Sequence, residues 1–298
     1  MKGIVIAGPT GVGKTELSIK LAKALNGEIV SADSAQVYKG MDIGTAKIKE
    51  QEKNGVVHHL LDIVEPIKKY SVGDYQRKVN EILNVSEDKN ILLVGGTGLY
   101  IDSVVRGLSV LPESDSQIRE KLMKENGENL FKLLCEIDPE SAESIHPNNK
   151  RRVERALEVF YKTGEKFSEL SKKNIKGNNF KFLKVALERD REYLYERINR
   201  RVEIMMENGL LKEVESLYEK YGESLKRINI IGYTELVDYI EGKINLIEAK
   251  ELIKKNSRNY AKRQFTWFKN DDEYIWYDLD KMSEKEIFLD ILEKFNRL

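Results

Sequence analysis

The chain has 298 residues with 50 basic and 50 acidic side chains, a length that suits one large domain with an insertion, or two domains. Because these charges balance, the net charge does not indicate a nucleic-acid partner. The single cysteine, Cys135, excludes an internal disulfide and a cysteine-rich metal site. No apolar stretch approaches the roughly 18 residues that cross a membrane, and the start of the chain does not resemble a signal peptide. We therefore expect a cytoplasmic monomer that makes no membrane contact.

The N-terminal segment predicts a strand, a glycine-rich loop and a helix. Lys2 to Ala7 is a short apolar run, and Glu16 to Leu25 has the period of an amphipathic helix. The loop between them carries the pattern G-x-x-x-x-G-K-S/T, which is typical of a phosphate-binding loop, or P-loop. Its residues are Gly8, Pro9, Thr10, Gly11, Val12, Gly13, Lys14 and Thr15.

The composition of this loop suits an anion held by backbone groups. Glycines let the amides curl around a phosphate, and the N-terminus of the following helix adds partial positive charge. Lys14 would then contact a phosphate group, and the Thr15 hydroxyl would contact Mg²⁺. The alternative is a glycine-rich turn with an incidental lysine, and the strand and helix on either side count against it.

The next predicted strands indicate where an acidic group lies. Most P-loop proteins place an Asp at the end of a second apolar strand, where it orders the metal. The best candidate strand, Asn90 to Val94, is followed instead by Gly95-Gly96-Thr97-Gly98. The carboxylate of Asp33 follows the predicted strand Glu28 to Val30. A loop there would carry Asp33 to the sheet edge that holds the P-loop, which suits a catalytic base beside a bound phosphate group.

The order of the elements predicts a domain with an insertion. Alternating strand and helix signals predict a parallel α/β sheet with helices on both faces. Beyond Pro112 the period becomes helical, and the apolar run Phe182 to Leu187 indicates a return to the sheet. We therefore predict an α/β fold with a P-loop core of residues 1–111 and 179–298 and a helical insertion of residues 112–178.

Basic residues cluster along this neutral chain. Residues 146–184 hold eleven basic and four acidic side chains, and residues 250–269 hold seven basic and one acidic. Two local basic surfaces indicate a polyanion bound at a defined place. Solvated basic helix faces would give the same pattern.

Two further signals lie in the C-terminal half. Arg197 and Arg201 share one face of a predicted helix, four residues apart. Such arginines are usually at the surface, but a protein that binds a diphosphate needs groups of this kind. Residues 256–269 interleave basic with aromatic side chains, which suits nucleic-acid contact, although aromatic residues would equally fill a core.

Several separated motifs together resemble one family, the bacterial tRNA dimethylallyltransferases, also called tRNA isopentenyltransferases or IPP transferases. Besides the P-loop, these motifs are Asp33 to Lys47, His58-His59-Leu60, Gly95 to Tyr100, Arg151 to Glu158, Ile231-Gly232-Tyr233 and Tyr260 to Phe268. The resemblance covers nearly the whole chain. A P-loop alone is common, whereas the second motif together with the last one is highly specific.

The resemblance implies an activity and its partners. Such an enzyme transfers a dimethylallyl group from dimethylallyl diphosphate to N6 of the adenosine immediately 3′ of the anticodon in a tRNA anticodon stem-loop, with Mg²⁺ as cofactor. The diphosphate is both anchor and leaving group, so P-loop, Mg²⁺ and arginines would stabilise its growing charge. Because no phosphoryl group moves, an Asp after Val94 is not required. The adenine would be flipped out of its stack into a channel beside Asp33.

Residue roles follow from the same resemblance. Asp33 corresponds to the general base and Thr97 to a residue that positions the substrate. The P-loop corresponds to the diphosphate cradle, with Thr15 at the metal and Arg201 as a diphosphate-binding arginine. The positions that correspond to tRNA contacts are Asp33, Ser34, Ala35, Gln36, Thr97, Arg119, Arg151, Arg152, Val153, Glu154 and Arg155.

Two other classes of function stay open from the sequence. A small-molecule P-loop kinase would use ATP as donor and Asp33 to deprotonate a hydroxyl, and the basic segments count against it. A non-catalytic, nucleotide-dependent RNA-binding module would not need Asp33 in a long motif beside the P-loop.

Overall fold

The computed structural model describes residues 2–86, 88–109, 111–173 and 180–298. This part of the chain divides into two compact units. We call residues 2–105 and 180–298 the core unit and residues 106–173 the helical unit. The helical unit begins at Arg106, six residues before the boundary predicted at Pro112.

Within the described ranges the core unit holds a six-stranded sheet whose neighbouring strands all run parallel. The strands are β1 Lys2–Ala7, β2 Gly27–Ala32, β3 His58–His59, β4 Asn90–Gly95, β5 Lys181–Glu188 and β6 Ile275–Asp278. Their order across the sheet is β3-β2-β4-β1-β5-β6. The predicted parallel α/β fold and the strands β1, β2, β4 and β5 are confirmed. The sequence did not predict β3 and β6, because runs of two and four residues carry too little periodicity.

Helices cover both faces of this sheet. In the core unit they are α1 Lys14–Ala24, α2 Val72–Val85, α3 Gly98–Val105, α9 Arg191–Glu207, α10 Leu210–Tyr221, α11 Tyr233–Ile240, α12 Leu246–Lys269 and α13 Glu284–Asn296, with 3₁₀ helices at Glu50–Lys53 and Gly222–Ile228. No helix in the described part of the chain is long and apolar enough to cross a membrane.

Alternate residues of β1 point to opposite faces of the sheet. Ile4 and Ile6 pack with α1, α9 and α13, whereas Val5 and Ala7 pack with α2 and α3. Burial on both faces explains why the strands read as continuous apolar runs. A further cluster packs helices α9 to α12 around Tyr233 and against Met41, in the segment after β2.

The helical unit consists of α4 Ser116–Lys124, α5 Gly127–Ile137, α6 Pro139–Ser144, α7 Lys150–Thr163 and α8 Phe167–Lys172. Side-chain oxygens accept hydrogen bonds from free backbone amides at the starts of α4 to α7, a preferred cap for a helix N-terminus. The capping residues are Asp115, Asn126, Asp138 and Asn149. Four leucines form the core of this unit together with Ile145, Val153 and Ala156.

Candidate active site

The P-loop turns from β1 directly into α1. Gly8, Gly11 and Gly13 have φ angles of 144°, 80° and 117°, a region that favours glycine. A Cβ at Gly8 would also lie 2.8 Å from the carbonyl oxygen of Leu187 in β5. These conformations end the loop at the N-terminus of α1, which begins at Lys14 and favours a bound anion.

Two arginines from the chain after the insertion bind backbone carbonyl groups of the P-loop. Nε of Arg189 donates to the Val12 carbonyl at 3.0 Å, and Nε of Arg197 donates to the Gly11 carbonyl at 3.0 Å. Arg189 is itself paired with Asp280 at 2.5 Å. These contacts therefore support the loop conformation through the protein's own side chains. The sequence placed Arg197 beside Arg201 on one helix face but did not indicate this contact.

Gln264 of α12 connects the P-loop to the loop after β4. Its Oε1 accepts a hydrogen bond from the amide of Thr10 at 2.9 Å, and its Nε2 donates to the Gly96 carbonyl at 2.9 Å. A Cβ at Gly96 would lie 2.0 Å from that Nε2, so the glycine leaves room for the amide. No role for Gln264 was predicted from the sequence. The signal that could have found it was a polar side chain between the core-facing helix positions Ala261 and Phe268.

Lys14 folds back onto its own loop. Nζ donates to the carbonyls of Gly8 and Pro9 at 2.8 and 2.9 Å. Burial lowers the pKa of Lys14 to about 8, with the charge of Asp33 opposing the shift and that of Arg201 adding to it. A diphosphate that binds here would draw the Lys14 ammonium away from these carbonyls.

Thr97 fixes the turn that carries Asp33. Thr97 follows β4, and its Oγ1 accepts from the amide of Ser34 at 3.0 Å, while its own amide donates to the Ala32 carbonyl at 3.0 Å. One carboxylate oxygen of Asp33 accepts from the amide of Ala35 at 2.9 Å. Because β2 and β4 are neighbours, the two loops meet at one edge of the sheet. The contact positions the turn that carries Asp33, and the predicted role of Thr97 in positioning the substrate stays a prediction.

Asp33 lies between two adjoining cavities of the described core unit, which share Thr10, Asp33 and Arg201. The P-loop cavity has a volume of about 620 Å³ and the second cavity about 410 Å³. The P-loop cavity is lined by cationic side chains and by the loop itself, including Gly11, Gly13, Lys14, Thr15, Arg197, Arg200 and Arg201. Apolar walls mark the second cavity, among them Ile198, Val202, Met205, Ile230, Ile231 and Ile253.

The charge of Asp33 acts on its neighbours. Burial lowers the pKa of the Arg201 guanidinium, the negative Asp33 opposes that shift, and Arg197 adds to it. Burial raises the pKa of the Tyr260 hydroxyl, and Asp33 adds to that shift, while contacts with Thr97 and Gln264 oppose it. Asp33 therefore lies at the boundary between a cavity rich in cationic side chains and a second cavity lined by both apolar and polar side chains.

The residues of the P-loop cavity fit a Mg²⁺ ion that is bound together with a diphosphate. Thr15 and Asp33 offer oxygen ligands there. Mg²⁺ is usually held by one or two protein oxygens, by substrate phosphates and by water. In the described ranges, no group of three or more His, Cys, Asp or Glu side chains could hold a metal. A metal at Thr15 would therefore depend on the oxygens of the ligand.

The predicted tRNA-contact residues after β2 lie beside Asp33. Ser34 and Ala35 line the second cavity and Gln36 lines the P-loop cavity. Two hydrogen bonds fix the orientation of the Gln36 side-chain amide. Its Oε1 accepts from the Ser31 hydroxyl at 3.1 Å, and its Nε2 donates to the Thr45 carbonyl at 3.3 Å.

In the helical unit, a fully buried carboxylate binds two of the predicted tRNA-contact arginines. Oε1 of Glu158 accepts from Arg119 Nε at 2.9 Å, and Oε2 accepts from Arg155 Nη1 at 2.7 Å. Burial would raise the pKa of Glu158, but the hydrogen bonds from Arg155 and Arg119 outweigh it and lower the pKa. Arg155 also donates to the Pro112 carbonyl. These contacts give both arginines a role within the unit.

The other predicted contacts on α7 differ in exposure. Arg151 and Arg152 are exposed, whereas Val153 is fully buried in the core of the helical unit. Glu154 lies 3.8 Å from Nζ of Lys150. The side chains of Arg151 and Arg152 are therefore available to a ligand, and that of Val153 is not.

Fold and site together define a P-loop α/β protein whose carboxylate follows the second strand of the sheet. The family model described as IPP transferase matches residues 36–271. The chain is 62% identical over 295 residues to the tRNA dimethylallyltransferase of Fusobacterium nucleatum, and the match covers 99% of this chain and 97% of that protein. The chain therefore belongs to the IPP transferase family, as its motifs indicated.

Solved structures agree with this assignment. The full-length tRNA isopentenylpyrophosphate transferase from Bacillus halodurans is 40% identical with a TM-score of 0.74, and the match covers 99% of this chain and 97% of that one. A eukaryotic dimethylallyltransferase acting on tRNA is 30% identical with a TM-score of 0.80, covering 98% and 80% of the two chains. These similarities support neither the kinase nor the non-catalytic RNA-binding alternative.

Proposed function

We propose that this chain transfers the dimethylallyl group of dimethylallyl diphosphate to N6 of the adenosine immediately 3′ of the anticodon in tRNA, which yields N6-dimethylallyladenosine and diphosphate. The observation that carries this proposal is the position of Asp33 between the cationic P-loop cavity and the second cavity. The names of the relatives support the class of reaction. We further propose that the enzyme acts as a cytoplasmic monomer.

The diphosphate binds in the P-loop cavity in this proposal. Backbone amides of the loop and the N-terminus of α1 surround it, and Lys14 and Arg201 supply positive charge. Thr15 would hold Mg²⁺, which when bound neutralises charge on the diphosphate oxygens. Arg189, Arg197 and Gln264 keep the loop in shape by their contacts to its backbone.

The transfer itself breaks one bond and forms another. The bond between the allylic carbon and the diphosphate oxygen breaks, and its electron pair leaves with the diphosphate. N6 of adenine forms the new bond to that carbon and gives its proton to the Asp33 carboxylate. The exocyclic amine is a poor nucleophile, so a positioned base contributes directly to the rate. Thr97 keeps Asp33 in place through the Ser34 amide.

The acceptor must reach Asp33 from outside the P-loop cavity. An adenine stacked in an anticodon loop hides its amine, so the base has to be flipped out of its stack. The second cavity offers a site beside Asp33 with apolar walls and with Ser34 and Tyr260 as polar partners. Sequence-specific recognition of RNA usually targets such single-stranded loops.

Pyrophosphate release tests this function. We expect release only when dimethylallyl diphosphate and an anticodon stem-loop with adenosine 3′ of the anticodon are both present. A stem-loop with guanosine at that position is the matched control and should give none. Mass spectrometry of the nucleosides should locate the added group on the adenosine. ATP hydrolysis stimulated by a small metabolite, without prenyl transfer, would favour the kinase instead.

The exposed arginines of α7 give a second test. Replacing Arg151 and Arg152 with Ala should weaken tRNA binding and flatten the log–log salt dependence by about 0.7 to 0.9 for each phosphate group that the variant no longer neutralises. Affinity for dimethylallyl diphosphate should not change, because that ligand binds in the core unit. Titrations with tRNA at several salt concentrations measure the slope.

Arg155, one of the two arginines bound to Glu158, provides the matched comparison. Arg155→Ala removes a partner of the buried Glu158 carboxylate and should lower the melting temperature. The variant in which Ala replaces Arg151 and Arg152 should keep a nearly unchanged melting temperature. An unaltered salt slope in the variant lacking Arg151 and Arg152 would contradict their contact with tRNA.

A further inference from the structure

A carboxylate of α10 holds the backbone of the loop formed by residues 41–47, which we call the 41–47 loop. Oε2 of Glu213 accepts from the amides of Asp42 and Ile43 at 3.1 and 2.8 Å. Oε1 accepts from the amide of Gly44 at 3.2 Å and from the Tyr233 hydroxyl at 2.5 Å. Consecutive amides that converge on one anion form a concave anion-binding site of backbone groups. Here the anion belongs to the protein itself.

The fit around this carboxylate is close. Tyr233 is only 1% exposed and its ring packs on Gly44, where a Cβ would lie 2.5 Å from the ring. Only a glycine at position 44 therefore leaves room for the Tyr233 ring in this position. Within the 41–47 loop, the Thr45 hydroxyl donates to the Met41 carbonyl at 2.6 Å. Glu213 and Tyr233 thus hold a loop that is also closed by its own hydrogen bonds.

The 41–47 loop borders both cavities of the site. Gly44 and Thr45 line the second cavity, and Ala46 lines the P-loop cavity. The Thr45 carbonyl accepts from Nε2 of Gln36, which orients the Gln36 side chain in the cavity that also contains Asp33. A shift of this loop would therefore move Gln36 and the walls near Asp33. The arginine and glutamine contacts to the P-loop do not pass through it.

We propose that Glu213 and Tyr233 are positioning residues for the transfer step, because they hold the 41–47 loop in the conformation that keeps Gln36 and the cavity wall aligned with Asp33. They act through the loop and do not contact the diphosphate. The inference rests on the proposed prenyl transfer. It assigns to Tyr233, part of the Ile231-Gly232-Tyr233 motif, a role that the motif alone did not indicate.

Glu213→Gln and Tyr233→Phe test this role in the full chain with an anticodon stem-loop substrate. In Glu213→Gln an NH₂ group replaces one carboxylate oxygen, so a hydrogen-bond donor faces backbone amides that are also donors. We expect the single-turnover rate to fall about 10- to 100-fold. Tyr233→Phe removes one hydrogen bond, and we expect the rate to fall about fivefold. The dissociation constant of dimethylallyl diphosphate should change by less than about twofold, since no P-loop contact is altered.

Tyr277→Phe is a matched control. Tyr277 is 2% exposed and donates its hydroxyl to Asp290 at 2.5 Å, so the substitution removes the same kind of hydrogen bond away from the 41–47 loop. Its single-turnover rate should match that of the wild type. Wild-type rates in both Glu213→Gln and Tyr233→Phe would overturn the proposal. If Glu213→Gln does not fold, the rate of Tyr233→Phe decides alone.

Amide hydrogen exchange gives a readout that does not depend on activity. The amides of Asp42, Ile43 and Gly44 should exchange faster in Glu213→Gln, while those of the P-loop stay unchanged. Unchanged exchange at residues 42–44 would show that Glu213 does not hold the loop and would overturn the proposal. Faster exchange with an unchanged transfer rate would also overturn it. A wild-type protein that makes no prenylated adenosine would refute the proposed function. The exchange result would still show whether Glu213 stabilises the 41–47 loop.

Discussion

Asp33→Asn is expected to lower the rate of dimethylallyl transfer by about 10²- to 10⁴-fold, the usual contribution of a general base. The substitution keeps the shape of the side chain, and the Asn oxygen can still accept the hydrogen bond from the Ala35 amide. The variant lacks only the group that takes the proton from N6. Single-turnover measurements with saturating tRNA and dimethylallyl diphosphate isolate this step.

Asp272→Asn is a control for that substitution. Asp272 lies in the loop between α12 and β6, is exposed, and lines neither the P-loop cavity nor the second cavity. Its transfer rate should stay within about threefold of the wild type, as for most surface substitutions. Normal turnover by a folded Asp33→Asn protein would exclude Asp33 as the base.

Lys14→Met is expected to weaken binding of dimethylallyl diphosphate by about 10- to 150-fold, the range for removal of a hydrogen bond to a charged group. The ammonium group lies within the P-loop and can move from the Gly8 and Pro9 carbonyls to a phosphate oxygen. Calorimetric titration measures the affinity. Lys20→Met removes an exposed lysine from the same helix and should leave the affinity unchanged.

The lowered pKa of Lys14 adds a pH dependence to this binding. Lys14 carries its charge below a pKa of about 8 and loses it above. Affinity for dimethylallyl diphosphate should therefore be full below that pH and fall above it, by up to about tenfold per pH unit. Lys14→Arg keeps its charge over this range and should abolish the dependence, whatever its affinity. A wild-type affinity that stays constant from about pH 7 to pH 10 would contradict the assignment.

Features that arise from short segments were predictable from the sequence. A strand buried on both faces is a continuous apolar run, so β1, β2, β4 and β5 were visible. The P-loop was visible because its backbone conformation requires glycines at particular places. The position of Asp33 followed from the rule that the ends of parallel strands meet at one edge of the sheet. The resemblance to the family then supplied predicted residue roles that no local pattern contains.

Contacts between distant segments were decided only by the tertiary structure. The hydrogen bonds of Gln264 to Thr10 and Gly96 join residues 254 and 168 positions apart. The pattern of α12 marks Gln264 as a polar residue on a core-facing side but does not predict these partners. The same holds for Glu213, whose backbone partners lie in the loop after β2. The predicted tRNA-contact arginines differ for a similar reason, because buried Glu158 binds Arg119 and Arg155 but not Arg151 and Arg152. Sequence periodicity reports which residues share a helix face, whereas the partner of a polar side chain depends on which distant segments the fold brings together.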